Sequence, residues 1–149
     1  MKLNTWSLKA SYFFKLTLIF LISSFPGTKL CAEIEAKYQQ GMYVVMTGTG
    51  SALPDPQRAG ASAAVIIDAT VLQFDFGRGV MDNLIRQDIN PLDIDYVFFT
   101  HHHFDHIASY NYFVISAWIG ARQQAVQVFG APGTKAMHNG AVHGMHASD

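Results

Sequence analysis

The sequence predicts a layered α/β architecture, on two observations. Short apolar runs come first as a pair joined by a polar turn, the pattern of a hairpin, and strand-like and helix-like segments then alternate along the chain.

Taken in order, residues 42–46 (MYVVM) read as a buried strand that runs into the Gly-rich GTGS at 48–51 and the Pro-broken LPDP at 53–56. Residues 64–67 and 71–74 are two further strands, and Asp68, Ala69 and Thr70 between them suit a short hairpin. After Gly77-Arg78-Gly79 a helix is expected over about 80–87, with Val80, Leu84 and Ile85 on its apolar side and Asn90-Pro91 stopping it. Residues 96–99 are again strand-like. Residues 107–120 are long enough, and apolar enough all round, to predict a buried helix with Trp118 in the core. A strand over 126–129 follows, then a helix over about 134–145 opened by Thr134 as N-cap and weakened by Gly140 and Gly144. No internal repeat or low-complexity segment interrupts this order.

The N-terminus has a different character. Lys2, Lys9 and Lys15 precede the apolar run 16–25 and the breaker Pro26-Gly27, the order of a secretory signal. That run is about half of the ~20 residues a membrane-crossing helix needs, so export is favoured over a stable membrane anchor. Cleavage is expected after Ala32, dividing the chain into a signal peptide, 1–32, and a domain, 33–149, that is periplasmic or secreted. A lipid-anchor reading of TKLC meets the bulky Leu30. Cys31 is the only cysteine and leaves with the signal, so any metal must be held by His and carboxylate. Beyond residue 32 the chain keeps six Lys and Arg against eleven Asp and Glu, a formal charge of −5. Such scattered cations form no basic stripe, which argues against a long nucleic acid as partner.

The chemistry concentrates in THHHFDHI, residues 100–107, directly after the strand at 96–99. An extended segment turns alternate side chains to one face, so His101 and His103 can converge while His102 points away. Asp105 and His106 sit at the turn into the next helix and can aim at a second ion beside the first. Imidazole and carboxylate suit catalytic zinc with an open position. Two such ions about 3.5–4 Å apart can share a nucleophile. A histidine-rich surface tract without metal needs neither the preceding strand, nor the interleaved Asp105, nor the apolar helix that follows.

Three stretches resemble the metallo-β-lactamase fold superfamily, and within it a ribonuclease Z/arylsulfatase-like branch. They are GTGSALPDPQRAG at 48–60, FDFGRG at 74–79, which resembles a D-x-G-x-G turn, and the H-x-H-x-D-H motif itself. The resemblance implies the N-terminal half of an αββα sandwich. It implies that His101 and His103 bind a first zinc and Asp105 and His106 a second, with Asp105 also assigned as the catalytic residue, and that Asp75 braces the metal loop. Phe104 departs from the small or polar residue common at its position, which bears on substrate access. The second half of such a sandwich supplies a further histidine, a bridging aspartate and a final histidine, so the present chain is expected to be a truncated half. His138, His143 and His146 read instead as helix-surface histidines. Arg58 is either a contact for an anionic substrate or a solvated loop residue. GTGS lacks the Gly-Lys-Ser/Thr of a phosphate-binding loop and reads as a tight turn.

The expected function is that of an exported zinc-dependent hydrolase acting on a phosphodiester, sulfate ester or related small ester by metal-bound hydroxide, with homo-oligomerisation left open. Two alternatives stand beside it. One is a lactamase or lactonase; the other, of a different class, is a truncated fragment that binds metal without catalysis.

Overall fold

In the computed structural model, which describes residues 36–144, five strands form one sheet in the order β1 (Met42–Gly48), β2 (Ser62–Ile67), β3 (Thr70–Phe74), β4 (Ile94–Phe99), β5 (Gln127–Gly130). The predicted signal, its cleavage site, Cys31 and His146 lie outside the described residues. Pairing is antiparallel from β1 to β3 and parallel from β3 to β5. Parallel neighbours need a crossover. Helix α1 (Val80–Arg86) lies between β3 and β4, and the short α2 (Phe104–Ile107) with α3 (Tyr110–Ile119) lies between β4 and β5. Helix α4 (Thr134–Asn139) and a π-helical turn, Gly140–Gly144, follow the last strand.

The predicted hairpin is tighter than its three spacer residues indicated. Thr70 pairs with Ile67, leaving only Asp68 and Ala69 in the turn, both with positive φ (45° and 67°). Two left-handed residues match the right-handed twist of the strands they join. The Asp68 carboxylate accepts the Gly41 N–H at 2.8 Å and secures the turn to the start of β1.

The two faces of the sheet differ. Ala64, Ile66, Val71, Val97 and Phe99 are buried on one face together with Val80, Met81 and Leu84 of α1 and the aromatic group Phe76, Tyr110 and Phe113. Ile85, expected inside, is 57% exposed, and Met81 takes its place. At 3.6 residues per turn, positions 80, 81 and 84 share a stripe that 85 leaves. On the other face the register aligns Met46, Ala63, Phe74, Phe98 and Phe129 in one row. Phe98 stacks on Phe74 at 5.0 Å and on Phe129 at 5.1 Å. Met46 is 59% and Val44 63% exposed, so among the described residues this apolar face has no covering layer.

Helix α3 corrects the expectation of a buried element. Only Tyr110 and Phe113 are buried, while Tyr112, Trp118 and Ile119 are 59%, 64% and 71% exposed. A helix apolar all round still presents one stripe to one sheet, and the i, i+3 pair takes it. The helix also begins later than residue 107. Ser109 donates its N–H to the Phe76 carbonyl at 2.8 Å, and this bond separates the single turn of α2 from α3. Thr134 is not the N-cap of α4: Gly133, with φ 102°, caps it, and Thr134 is the first helical residue, its hydroxyl donating to the Ala131 carbonyl at 2.7 Å.

Candidate metal centre

Thr100 to His103 lead from the C-terminal end of β4 into α2, with a bend at Thr100 and His103 extended at φ −62°, ψ 147° just before the helix begins. The alternation expected of such a segment is present. The rings of His101 and His103 stand 4.5 Å apart, centroid to centroid, and His106 brings a third ring to 4.0 Å from His101. His102 turns away, its Nε2 2.8 Å from the Thr134 hydroxyl. Asp105 joins the group through Oδ2, 3.7 Å from His106 Nε2.

Asp75 is the residue that holds this cluster together. It follows the last residue of β3, is 5% exposed, and adopts a left-handed backbone, φ 56°, a conformation asparagine and aspartate tolerate better than most residues. Its Oδ1 accepts the Thr100 N–H at 2.9 Å; its Oδ2 accepts the Thr100 hydroxyl at 2.7 Å and lies 2.8 Å from His106 Nδ1. The backbone of Asp75 is itself clamped. Its N–H donates to the Phe98 carbonyl, and its carbonyl accepts from Ser62 Oγ at 3.0 Å and Gln73 Nε2 at 2.9 Å. Ser62 and Gln73 were not singled out from the sequence. The only signal was a polar residue at an inward position of each of two otherwise apolar strands, which demands a partner once buried.

Glycine explains how the first loop reaches the site. A Cβ on Gly48 would lie 1.7 Å from the Gly60 carbonyl oxygen, and one on Gly77 2.3 Å from the Gly60 carbonyl carbon, so three backbone segments pack with no room for side chains. The Phe76 N–H then donates to the His106 carbonyl at 2.6 Å, tying the FDFGRG turn to α2. GTGS is not the tight turn expected: residues 49–51 form no turn, and the Gly50 N–H donates to the Ala59 carbonyl at 2.7 Å, closing the 50–59 loop. Arg58 is exposed; the arginine that organises this loop is Arg78, whose Nη2 donates to the Asp55 and Arg58 carbonyls at 2.8 Å each.

Of the downstream histidines, His138 and His143 do not join the cluster. His138 Nδ1 lies 2.6 Å from the hydroxyl of Tyr110, whose pKa burial pushes up to about 12. His143 is exposed on the π-helical turn. A surface cleft between β5 and α4, lined by Val128, Phe129, Thr134, Lys135 and His138, includes none of the cluster.

The donor chemistry fits zinc: imidazoles and a carboxylate, with one imidazole already engaged through Nδ1 by a carboxylate, the arrangement that orients metal-binding histidines. The number of donors does not complete a site. Among the described residues no three His, Cys, Asp or Glu side chains form a group that could hold an ion unaided.

Sheet and motif together place the chain among proteins of the metallo-β-lactamase fold. The chain belongs to the Metallo-beta-lactamase superfamily, whose family model matches residues 47–126. Ribonuclease Z of Mycobacterium marinum is 37% identical over 94 residues, which cover 61% of this chain and 34% of that protein. Ribonuclease Z of Methanococcus aeolicus is 32% identical over 94 residues, covering 63% and 29%. The crystal structure of human tRNase Z, short form, superposes with a TM-score of 0.62 at 24% identity over 70% of this chain and 40% of its own, a likeness of fold. The chain thus spans about a third of the length of the curated relatives it matches. Those relatives carry the name of a ribonuclease, which stands against excluding nucleic acid on charge alone.

Proposed function

We propose that this chain carries the motif half of a zinc-dependent hydrolase that cleaves a phosphodiester. The single observation behind this reading is the clustering of His101, His103, His106 and Asp105, with His106 held by Asp75, a carboxylate that is buried and clamped from both its backbone and its side chain. Similarity to proteins named ribonuclease Z favours a phosphodiester over a sulfate ester or a lactam.

His101 and His103 would hold one ion, Asp105 and His106 the other. Zinc bound there supplies Lewis-acid polarisation of the phosphoryl oxygen and a more acidic water. Asp75 and Thr100 keep the imidazoles oriented. Asp105 Oδ2, beside His106 Nε2, is the carboxylate oxygen of the cluster that would accept a proton from the attacking water. Phe104 is 69% exposed between His103 and Asp105, an apolar surface at the edge of the cluster for part of the substrate to rest on.

The test is an assay of the protein from the longest reading frame against a chromogenic phosphodiester, an aryl sulfate and a β-lactam. Chelator-sensitive phosphodiester cleavage is expected. Turnover of the β-lactam alone would shift the assignment to the lactamase class, and no turnover by a folded, zinc-loaded protein would favour metal binding without catalysis. We also propose that the protein is exported, from the order of charge, apolar run and breaker at 1–32; intact mass should show removal of the N-terminus near Ala32, and recovery of the uncut chain in membranes would refute it. No helix among the described residues is long and apolar enough to cross a membrane.

A further inference from the structure

We infer that Thr100 is a positioning residue, whose hydroxyl relays the Asp75 carboxylate to His101 so that one carboxylate fixes the tautomers of two imidazoles. The inference rests on the metal reading above for its purpose but on hydrogen-bond bookkeeping for its content.

A carboxylate only accepts, and a hydroxyl has one proton to give. The Thr100 hydroxyl lies 2.7 Å from Asp75 Oδ2, so its proton goes there. The same hydroxyl oxygen lies 3.0 Å from His101 Nδ1. With its proton spent on Asp75, Thr100 can only accept from His101, and His101 Nδ1 must carry the hydrogen. His106 Nδ1, 2.8 Å from the same Asp75 Oδ2, must carry one for the same reason. Both neutral rings therefore keep their lone pair on Nε2. For His106 that is the nitrogen beside Asp105. Two rings 4.0 Å apart are thus preset to offer metal-binding nitrogens before an ion arrives. Orientation comes with the tautomer, because Thr100 is held twice by Asp75, through its N–H on Oδ1 and its hydroxyl on Oδ2.

The position can be tested without disturbing the backbone. Thr100→Val keeps the β-branched shape and the N–H bond to Asp75 and removes only the relay. Imidazole-nitrogen NMR of the full-length, histidine-labelled, zinc-free protein, at a pH where the rings are neutral, reads the tautomers directly. In the parent protein His101 and His106 should both appear as the Nδ1–H form. In Thr100→Val, His101 should lose that form while His106 retains it, and Thr100→Ser should restore it. Zinc affinity should fall about tenfold in Thr100→Val and recover in Thr100→Ser. His101 in the Nε2–H form in the parent protein, or unchanged by Thr100→Val, overturns the relay. The parent spectrum decides the first point even if a variant fails to fold. The tautomers are read without zinc or substrate, so an absent phosphodiesterase activity would count against the proposed function and leave this result standing.

Discussion

The carboxylate of Asp75 lies 2.8 Å from Nδ1 of His106, thirty-one residues further along the chain, and joins the end of β3 to the helix that carries half of the metal motif. Asp75→Asn keeps a residue tolerant of the left-handed backbone but turns a donor toward groups that are themselves donors. Zinc affinity should fall about 10–100-fold with the fold retained. Competition with a chromophoric chelator measures it, and an unchanged affinity would remove Asp75 from the site.

His103→Ala and Asp105→Ala should each lower bound zinc in the complete protein, and His102→Ala should leave it nearly unchanged. His102 is spent on Thr134, so its removal should instead cost about 1 kcal/mol of stability. Elemental analysis beside a denaturant titration separates the two effects. Equal zinc losses from His102 and His103 would mean that the tract chelates without structure.

The uncovered row Met46, Phe74, Phe98 and Phe129 predicts that residues 33–149 expressed alone associate or aggregate, bind zinc weakly and lack turnover. Lysine at Met46 and Phe129 together should reduce association, as read by light scattering. Chelator-sensitive hydrolysis by a monomeric 33–149 would show that the motif needs no further ligands.

Asp93 gives a pH prediction. Burial pushes its pKa up to about 6, Asp95 adding to the effect and Arg122 opposing it, and its Oδ2 has no hydrogen-bond partner. A folded pKa above the unfolded value of 3.8 means the folded state holds the proton more tightly, so stability falls as pH rises from about 4 to about 6. Asp93→Asn should therefore stabilise the protein at pH 7 and not below about pH 4. The two-unit shift corresponds to about 3 kcal/mol, but the side chain is only partly buried, so a gain on the order of 1 kcal/mol is expected. Urea unfolding at the two pH values checks it.

Sequence by itself determined the strands, the hairpin, α1 and the alternation of the metal motif. These depend on local periodicity: Val71 and Gln73 turn inward because a strand alternates, and His101 and His103 turn together for the same reason. It also pointed to Asp75, through the resemblance of FDFGRG to the superfamily's D-x-G-x-G turn. Tertiary structure decided what periodicity cannot carry. Helix α3 is apolar on every side, so only the position of the sheet could show that Tyr110 and Phe113 go inward and Trp118 stays out. Gly133, not Thr134, caps α4, because the Thr134 hydroxyl is engaged with Ala131 and His102. The bond of Gln73 to Ser62, the clamp of Ser62 on Asp75, and the reach of Asp75 to Thr100 and His106 join residues 11 to 31 positions apart. Hydrogen bonds over that separation form only when strands from different parts of the chain lie side by side, and no local pattern in the amino acids records them.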